Sequence, residues 1–246
     1  MNMKVATCQE QSDSKTRLIS VEPYSLICDK IKRMKVIPRE VRRITYSAKI
    51  RDLKKRLALN PDQQSLIVGS VLGDGYLEPN WSKTNYRLKI QHSIKQKDYV
   101  LWKHALLSEW VITEPKEQKV NHSIRFRTIS HPELTEFREL FYRGNKKIIP
   151  EDVSKYLNPL ALAVWFMDDG DRAAHDKTDG YHINTQSFSE SENHFLLSVL
   201  REKFGIDGTV QNNNGYKRLY VVSKSKDLFR AIVAPYILPA MQYKLG

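Results

Sequence analysis

"LALAVWFMDDG", residues 160–170, contains the longest purely apolar run of a 246-residue chain and ends on two aspartates and a glycine. Asn158 and Pro159 stand just before it. An asparagine side chain accepts an orphan backbone N–H at an N-cap, and proline needs none at the first helical position, so the run begins as a helix. Gly170 is a natural stop at its far end. The aspartates therefore fall at a helix C-terminus, where the macrodipole disfavours negative charge by about 0.3–1 kcal/mol. A second stretch, "LIVGSVLGDG" at 66–75, has the same form: Asn60-Pro61 introduces it and Asp74-Gly75 closes it. Asp74 and Asp169 lie 95 residues apart.

The sequels match as well, which marks an internal repeat. "YRLKIQHS" (86–93) and "YHINTQSF" (181–188) follow the two helices, and Gln91 and Gln186 each lie 17 residues past their aspartate. Apolar and polar residues alternate in both segments, the pattern of a strand with one buried face. Helical stretches come next, "KDYVLWKHALLSEWV" and "ENHFLLSVLREKFGI", then strands "SIRFRTIS" and "KRLYVVSK", then helices "PELTEFRELFY" and "KDLFRAIVAPY". Each half closes on a lysine: Lys147, 73 residues past its aspartate, and Lys244, 75 past its own. The expected architecture is α+β, with two copies of one unit at 57–150 and 151–246 behind an arm at 1–56. Trp102, Trp110 and Trp165 fall on apolar helical faces and are expected in the core. "DRAAHDKTDG" (171–180) reads as a polar connecting loop.

Charge is concentrated in the arm. The chain carries a net charge of +12, and twelve basic residues against two acids between Lys30 and Arg56 account for +10 of it. Such a segment suits a polyanion, nucleic acid first among them, and a solvated tail is the other reading. Cys8 and Cys28 suggest neither a disulfide framework nor a zinc site, so an intracellular reducing compartment containing DNA is expected. No apolar run is long enough to span a membrane, and "MNMKVATCQEQSDSK" lacks the apolar core of a secretory signal.

Two related units normally pack about a pseudo-two-fold axis, which would bring Asp74 beside Asp169. Adjacent carboxylates share either a proton or a cation, and hard oxygen ligands favour Mg2+ or Ca2+. Gly69 and Gly73, four apart, form a small-residue stripe that lets another backbone approach. Val164 and Asp168 hold those positions in the second helix, so the packing cannot be symmetric in detail. Asp169 then aligns with Asp74, while Asp168 is an interface residue or a supporting one.

"IVGSVLGDG" and "LAVWFMDDG" resemble the two signature motifs of the LAGLIDADG homing endonucleases, in the monomeric branch that carries both in one chain. "NKKIIP", "WFMDDG", "NTQSF" and "YKL" are most similar to the subgroup of the mitochondrial omega-intron endonuclease. The resemblance implies an αββαββα core in each repeat, motif helices at the interface, and two curved sheets forming a saddle over double-stranded DNA. It implies that Asp74 and Asp169 ligate divalent metal, Mg2+ with Mn2+ or Ca2+ able to take the same site. By the same resemblance Lys147 and Lys244 flank the site, and Gln91 and Gln186 help position metal-bound water. Hydrolysis of one phosphodiester per strand would give a staggered cut with 3′ overhangs at a long, non-palindromic target.

On the polar strand faces, Arg87, Lys89, Gln91, Arg125, Arg127, His182, Asn184 and Arg218 are candidates to reach DNA, through base edges or phosphates. Arg172 and Lys177 are phosphate candidates in the connecting loop. His92, His122, His131 and His175 have no metal-ligand spacing and read as surface or groove residues. Two alternatives use the same fold: a maturase acting on its own intron RNA, and a DNA-binding regulator that no longer cuts. The chain ends carry no protein-splicing motif, so an intron is the expected setting rather than an intein.

Overall fold

A computed structural model describes residues 48–175 and 178–246. Helix α1 (Ala48–Arg56) leads into α2 (Pro61–Leu72), β1 (Tyr76–Pro79), β2 (Tyr86–Ser93), α3 (Lys97–Leu106), β3 (Lys116–Gln118), β4 (Ser123–Arg127) and α4 (Pro132–Phe141). A small hairpin, β5 (Tyr142–Arg143) and β6 (Lys146–Lys147), and a short helix α5 (Val153–Tyr156) connect to the second unit. That unit repeats the order as α6 (Pro159–Asp169), β7 (Gly170–His175), β8 (Thr178–Ile183), α7 (Glu190–Phe204), β9 (Gly208–Asn213), β10 (Tyr216–Val221) and α8 (Lys226–Val233). The strand orders are β1-β2-β4-β3 and β7-β8-β10-β9, so equivalent strands hold equivalent places in two antiparallel sheets. Each unit is thus αββαββα.

The starts of the two motif helices follow from their caps. Asn60 accepts the Gln63 N–H while the Gln63 side chain accepts from Asn60 N, a reciprocal capping box. Asn158 accepts from Ala161 N. Neither helix has a polar stripe: nearly every residue from Leu66 to Leu72 and from Leu160 to Asp168 is buried. A helix that is apolar all round must be covered all round, and these two are covered by their own sheets and by each other. At the contact the repeats are complementary rather than identical. A Cβ on Gly69 would lie 2.4 Å from the Ala161 carbonyl oxygen and 2.6 Å from Val164 Cβ, and one on Gly73 would lie 2.5 Å from Asp168 Cβ. Glycine on one helix therefore leaves the room that its equivalent, valine or aspartate, fills from the other. Leu77, Leu88, Ile90, Ile124 and Phe126 of the first sheet, and Tyr181, Ile183, Leu219 and Val221 of the second, complete the core, with Trp102, Trp110 and Trp165 buried among them.

Three expectations change. The last nine residues of the basic arm form α1, with Ile50 buried and Lys54 anchored to the first repeat: its ammonium donates to Ser130 Oγ and its carbonyl meets His131 Nε2 at 2.9 Å. Residues 1–47, including both cysteines and most of the basic run, lie outside the described residues. Second, residues 171–175 and 178–180 lie in two paired antiparallel strands rather than a loop, with Asp171 paired to His182 and Arg172 to Tyr181. The segment hides this because ladder hydrogen bonds are made by backbone, and an edge strand with a solvated face needs no apolar alternation. Third, the strand expected over 181–188 stops at Ile183, since Asn184 N–H turns to the Asp169 carbonyl and Thr185 to Phe188 closes a turn. Among the described residues no helix is long and apolar enough to cross a membrane.

Because the fit at Gly69 allows no side chain, Gly69→Ala is expected to cost about 1–3 kcal/mol by overpacking, against the intrinsic helix preference for alanine. Denaturant unfolding of Gly69→Ala, Val164→Ala and the double variant checks this: the double variant should be more stable than the summed single losses imply.

Candidate active site

The site lies where the two motif helices end. Asp74 follows the last turn of α2 with its side chain 51% exposed, and Asp169, half-buried, is the final residue of α6. Glycines follow both because nothing else fits: a Cβ on Gly75 would lie 2.7 Å from the Ser70 carbonyl oxygen, and one on Gly170 would lie 2.0 Å from the Phe166 ring. The two lysines are placed equivalently. Lys147 donates its ammonium to the Gly73 carbonyl and Lys244 donates to the Asp168 carbonyl at 2.8 Å, and these carbonyls belong to the residues immediately before the two acids. Each cation thus meets the negative end of a helix beside a carboxylate. Different elements deliver them: Lys147 comes from β6, and Lys244 from a terminal 3-10 segment, Pro239–Lys244. The β5-β6 hairpin is itself tied to β1. Arg138 on α4 donates to the Leu77 carbonyl at 3.1 Å and stacks 3.8 Å over the Tyr142 ring, whose hydroxyl accepts from Leu77 N–H.

Beneath the acids the symmetry ends. Asp168, in the place of Gly73, is fully enclosed with Lys103 of α3. Lys103 Nζ lies 2.8 and 3.1 Å from the two Asp168 oxygens, Tyr99 donates its hydroxyl to Asp168 Oδ1 at 2.7 Å, and Asp168 Oδ2 accepts Asp74 N–H at 3.2 Å. His92 of β2 joins this cluster to the site, with Nε2 3.3 Å from Lys103 Nζ and Nδ1 3.4 Å from Asp74 Oδ2. A buried charge pair of this kind is stable only when fully hydrogen-bonded, and losing one partner typically costs about 3–5 kcal/mol. His92, expected at the surface, is 6% exposed, and His131, likewise, is buried as the N-cap of α4. Tyr99 and Lys103 went unnoticed in the sequence; the available signal was a lysine four residues after a tyrosine inside an apolar helical run.

The two motif acids are driven apart in ionisation. Burial opposes charging of Asp74, but the hydrogen-bonding contact of His92, helped by the charges of Lys103 and Lys147, outweighs it and holds the carboxyl below its ordinary range. For Asp169 burial comes first and the negative charges of Asp74 and Asp168 add to it, so its pKa is pushed up to about 8 despite Lys147 and Lys244. Burial also lowers both lysines, partly offset by the three carboxylates. A carboxyl kept from ionising by burial, with repulsion from neighbouring carboxylates added, suits a divalent cation, whose charge offsets both. Asp74, His92 and Asp168 also offer donor atoms within 4.8 Å of one another, but a metal there would have to displace the buried Lys103 ammonium.

Residues 64–229 match the family model described as the LAGLIDADG DNA endonuclease family. The chain belongs to that family. It is 31% identical over 208 residues to a probable intron-encoded endonuclease 1 from Wickerhamomyces canadensis, covering 80% of this chain and 89% of that one. It is 30% identical over 207 residues to the cytochrome b mRNA maturase bI2 of Saccharomyces cerevisiae, covering 76% of this chain. The chain spans about half the length of several curated relatives it matches, 48% for the maturase. Among solved structures, the homing endonuclease I-WcaI bound to its DNA recognition sequence matches with a TM-score of 0.75 and 27% identity, over 88% of this chain and 97% of that one.

On the LAGLIDADG scaffold the strand register decides which polar residues flank the acids. Tyr76 pairs with Lys89 and its equivalent Asp171 pairs with His182, so the offset between repeats falls from 95 to 93 across the hairpins. Asn184, not Gln186, is therefore the counterpart of Gln91. Gln186 sits exposed in a turn, whereas Asn184 Nδ2 donates to the Asp169 carbonyl at 2.9 Å and to Asp171 Oδ1 at 3.1 Å. Gln91 donates to Ser123 Oγ. The loop before each strand, which differs in length, was invisible to equal spacing along the chain.

The other strand residues divide into free and engaged. Arg87 and Arg127 converge on one Glu78 oxygen at 2.9 and 3.0 Å, and His182 is buried against Asp171. Arg218 reaches Gln211 at 3.5 Å, and Arg172 pairs with Asp179. Lys89 and Arg125 have no ion-pair partner among the described residues, and Lys177 lies outside them. The face thus mixes unpaired cations with pairs that a polyanion could reorganise.

The Asp169 shift fixes the sign of a pH effect. Its carboxyl keeps a proton in the metal-free folded protein at pH values where the unfolded chain has lost it, so stability falls as pH rises from about 4 to about 8 and then levels. Asp169→Asn abolishes that fall. Thermal unfolding in chelator should find the variant increasingly more stable than wild type across that window, and saturating Mg2+ should stabilise wild type but not the variant.

Proposed function

We propose that this chain is a site-specific endonuclease that cuts both strands of a long, asymmetric DNA target with Mg2+, acting as a monomer. One observation carries the reading: two carboxylates stand at the ends of two equivalent, tightly packed helices, each beside an equivalently placed lysine. Acids at the negative end of a helix in a protein of net charge +12 need a reason, and holding divalent metal against phosphate supplies it. A bound divalent cation would lower the pKa of a water, orient in-line attack and stabilise the leaving 3′ oxygen. Asp74 and Asp169 are the ligands. Lys147 and Lys244, fixed by their carbonyl contacts, present positive charge to the phosphate as negative charge builds on it. Gln91 and Asn184 stand at matching strand positions, able to hold water near the two acids.

Recognition falls to the polar faces of the two sheets. Lys89 and Arg125 suit guanine or phosphate, and Glu78 with its two arginines can exchange partners when DNA arrives. Helix α1 extends this surface: Arg51 and Lys54 line a groove of about 520 Å³ together with Asn80, Asn85, Arg87 and Arg127. Because the repeats differ at nearly every such position, the target has no dyad. A maturase reading draws support from the similarity to the bI2 maturase, and it would add own-intron RNA as a partner.

The test is a target selected from a randomised DNA library, incubated with and without Mg2+. Wild type should linearise it only with metal; Asp74→Asn and Asp169→Asn should each cut at least 100-fold more slowly while still binding. Binding without metal-dependent cutting by wild type would leave the regulator, and tight binding of the intron transcript with faster splicing would support the maturase. Separately, Arg125→Ala should weaken target binding about tenfold, within the roughly 1–3 kcal/mol of one good base contact. Binding isotherms at several salt concentrations separate a base contact from a phosphate contact: only the latter weakens binding to all sequences alike and flattens the salt slope.

A further inference from the structure

We propose that His92, held by the buried Lys103–Asp168 pair, is a positioning residue for Asp74 alone, so that the two strands of the target are cut by unequal halves of the site. The inference rests on the nuclease reading above and deepens it. Its ground is a chain of contacts present in one repeat and absent from the other. Lys103 has three N–H donors; two are spent on Asp168 and the third points at His92 Nε2, 3.3 Å away. An ammonium can only donate, so Nε2 accepts and the imidazole proton sits on Nδ1, which faces Asp74 Oδ2. The ring is thereby locked in one tautomer and one orientation. The buried ring packs at a tilt against Tyr99, whose ring centroid lies 5.1 Å from that of His92 and whose hydroxyl anchors Asp168. Asp168 completes the hold by accepting Asp74 N–H, so side chain and backbone of Asp74 are fixed from the same cluster.

Among the described residues nothing equivalent serves Asp169. The register that pairs Asn184 with Gln91 makes Thr185 the counterpart of His92, and Thr185 donates to buried Asn193 instead of to the acid. Asp168 has no counterpart beneath Asp169 either, because the matching residue is Gly73. Among the described residues the Asp169 carboxylate has neither a hydrogen bond nor an ion-pair contact, where Asp74 Oδ2 has His92 Nδ1 at 3.4 Å. Supporting hydrogen bonds of this kind orient a metal-ligating group and typically change metal affinity or activity 10–100-fold when removed. Asp74 is thus preorganised, whereas Asp169 takes its orientation from the metal and the DNA.

The experiment follows each strand separately, with the two 5′ ends of the target carrying different labels, for wild type, His92→Ala and His92→Asn. Asparagine can keep an N–H donor near the Nδ1 position. His92→Ala should slow nicking of one strand about tenfold or more, leave the other within about twofold, and accumulate singly nicked DNA; His92→Asn should recover most of the lost rate. A second readout needs no cutting: in the presence of target DNA, the Ca2+ concentration giving half of the thermal stabilisation should rise several-fold in His92→Ala and return towards wild type in His92→Asn. Equal slowing of both strands, or a His92→Asn variant as impaired as His92→Ala, would overturn the inference and mark His92 as structural. If wild type does not cut with Mg2+, the nuclease reading fails by itself, and an unchanged Ca2+ midpoint in both variants would then reject the role of His92 independently.

Discussion

Everything at this site depends on how closely α2 and α6 approach. Gly69 against Ala161 and Val164, and Gly73 against Asp168, bring two backbones nearly into contact. No residue larger than glycine could stand at 69 or 73 without separating the helices. That separation would part Asp74 from Asp169 and let water between them, and both the burial that chiefly lifts the second carboxyl to about 8 and the repulsion that adds to it would fade. A packing constraint at the centre of the core therefore sets the chemistry at its surface. The reverse also holds: two coupled carboxylates at helix C-termini oppose the folded state, and the apolar burial along the rest of both helices must outweigh them.

The second design element is broken symmetry. Two copies of one unit share element order, strand order, caps and the placement of a lysine on a helix-terminal carbonyl. A pseudo-dyad suits a duplex whose two strands run in opposite directions. The interface, however, cannot use two glycines or two bulky residues at one crossing, so one copy carries the small partner and the other the large one. Once Asp168 occupied the large place, its buried charge required Lys103 and Tyr99, and His92 followed as the acceptor of the remaining lysine donor. Functional inequality between the halves thus grows out of a packing requirement.

Much of this was legible in the chain. The repeat, its helix starts and stops, the Asp74/Asp169 pair, the two lysines and the glycine stripe all depend on local chemistry or regular spacing, and local chemistry is written residue by residue. Errors came where a backbone decision left no side-chain trace. The paired strands at 171–175 and 178–183 carry little sequence signal because their ladder is made of peptide groups, and equal spacing points to Gln186 instead of Asn184 because a loop of different length shifts the strand register without changing the count between aspartate and glutamine.

The sequence by itself determined that two copies of one unit of alternating helices and strands would form, that each would end its motif helix on an acid, and that the surplus charge would be basic. Alignment of the repeats sets Asp169 with Asp74 and Asp168 against Gly73; tertiary structure alone decided what encloses Asp168, the Lys103 ammonium and the Tyr99 hydroxyl. Asp168 and Asp169 are chemically identical neighbours, and the approach of α2, with Lys103 and His92 behind it, makes one a buried anchor and leaves the other half-exposed at the helix end. The physical reason is that ionisation, solvent exposure and hydrogen-bond partners are properties of an environment, and that environment is assembled from residues scattered between 69 and 244 along the chain.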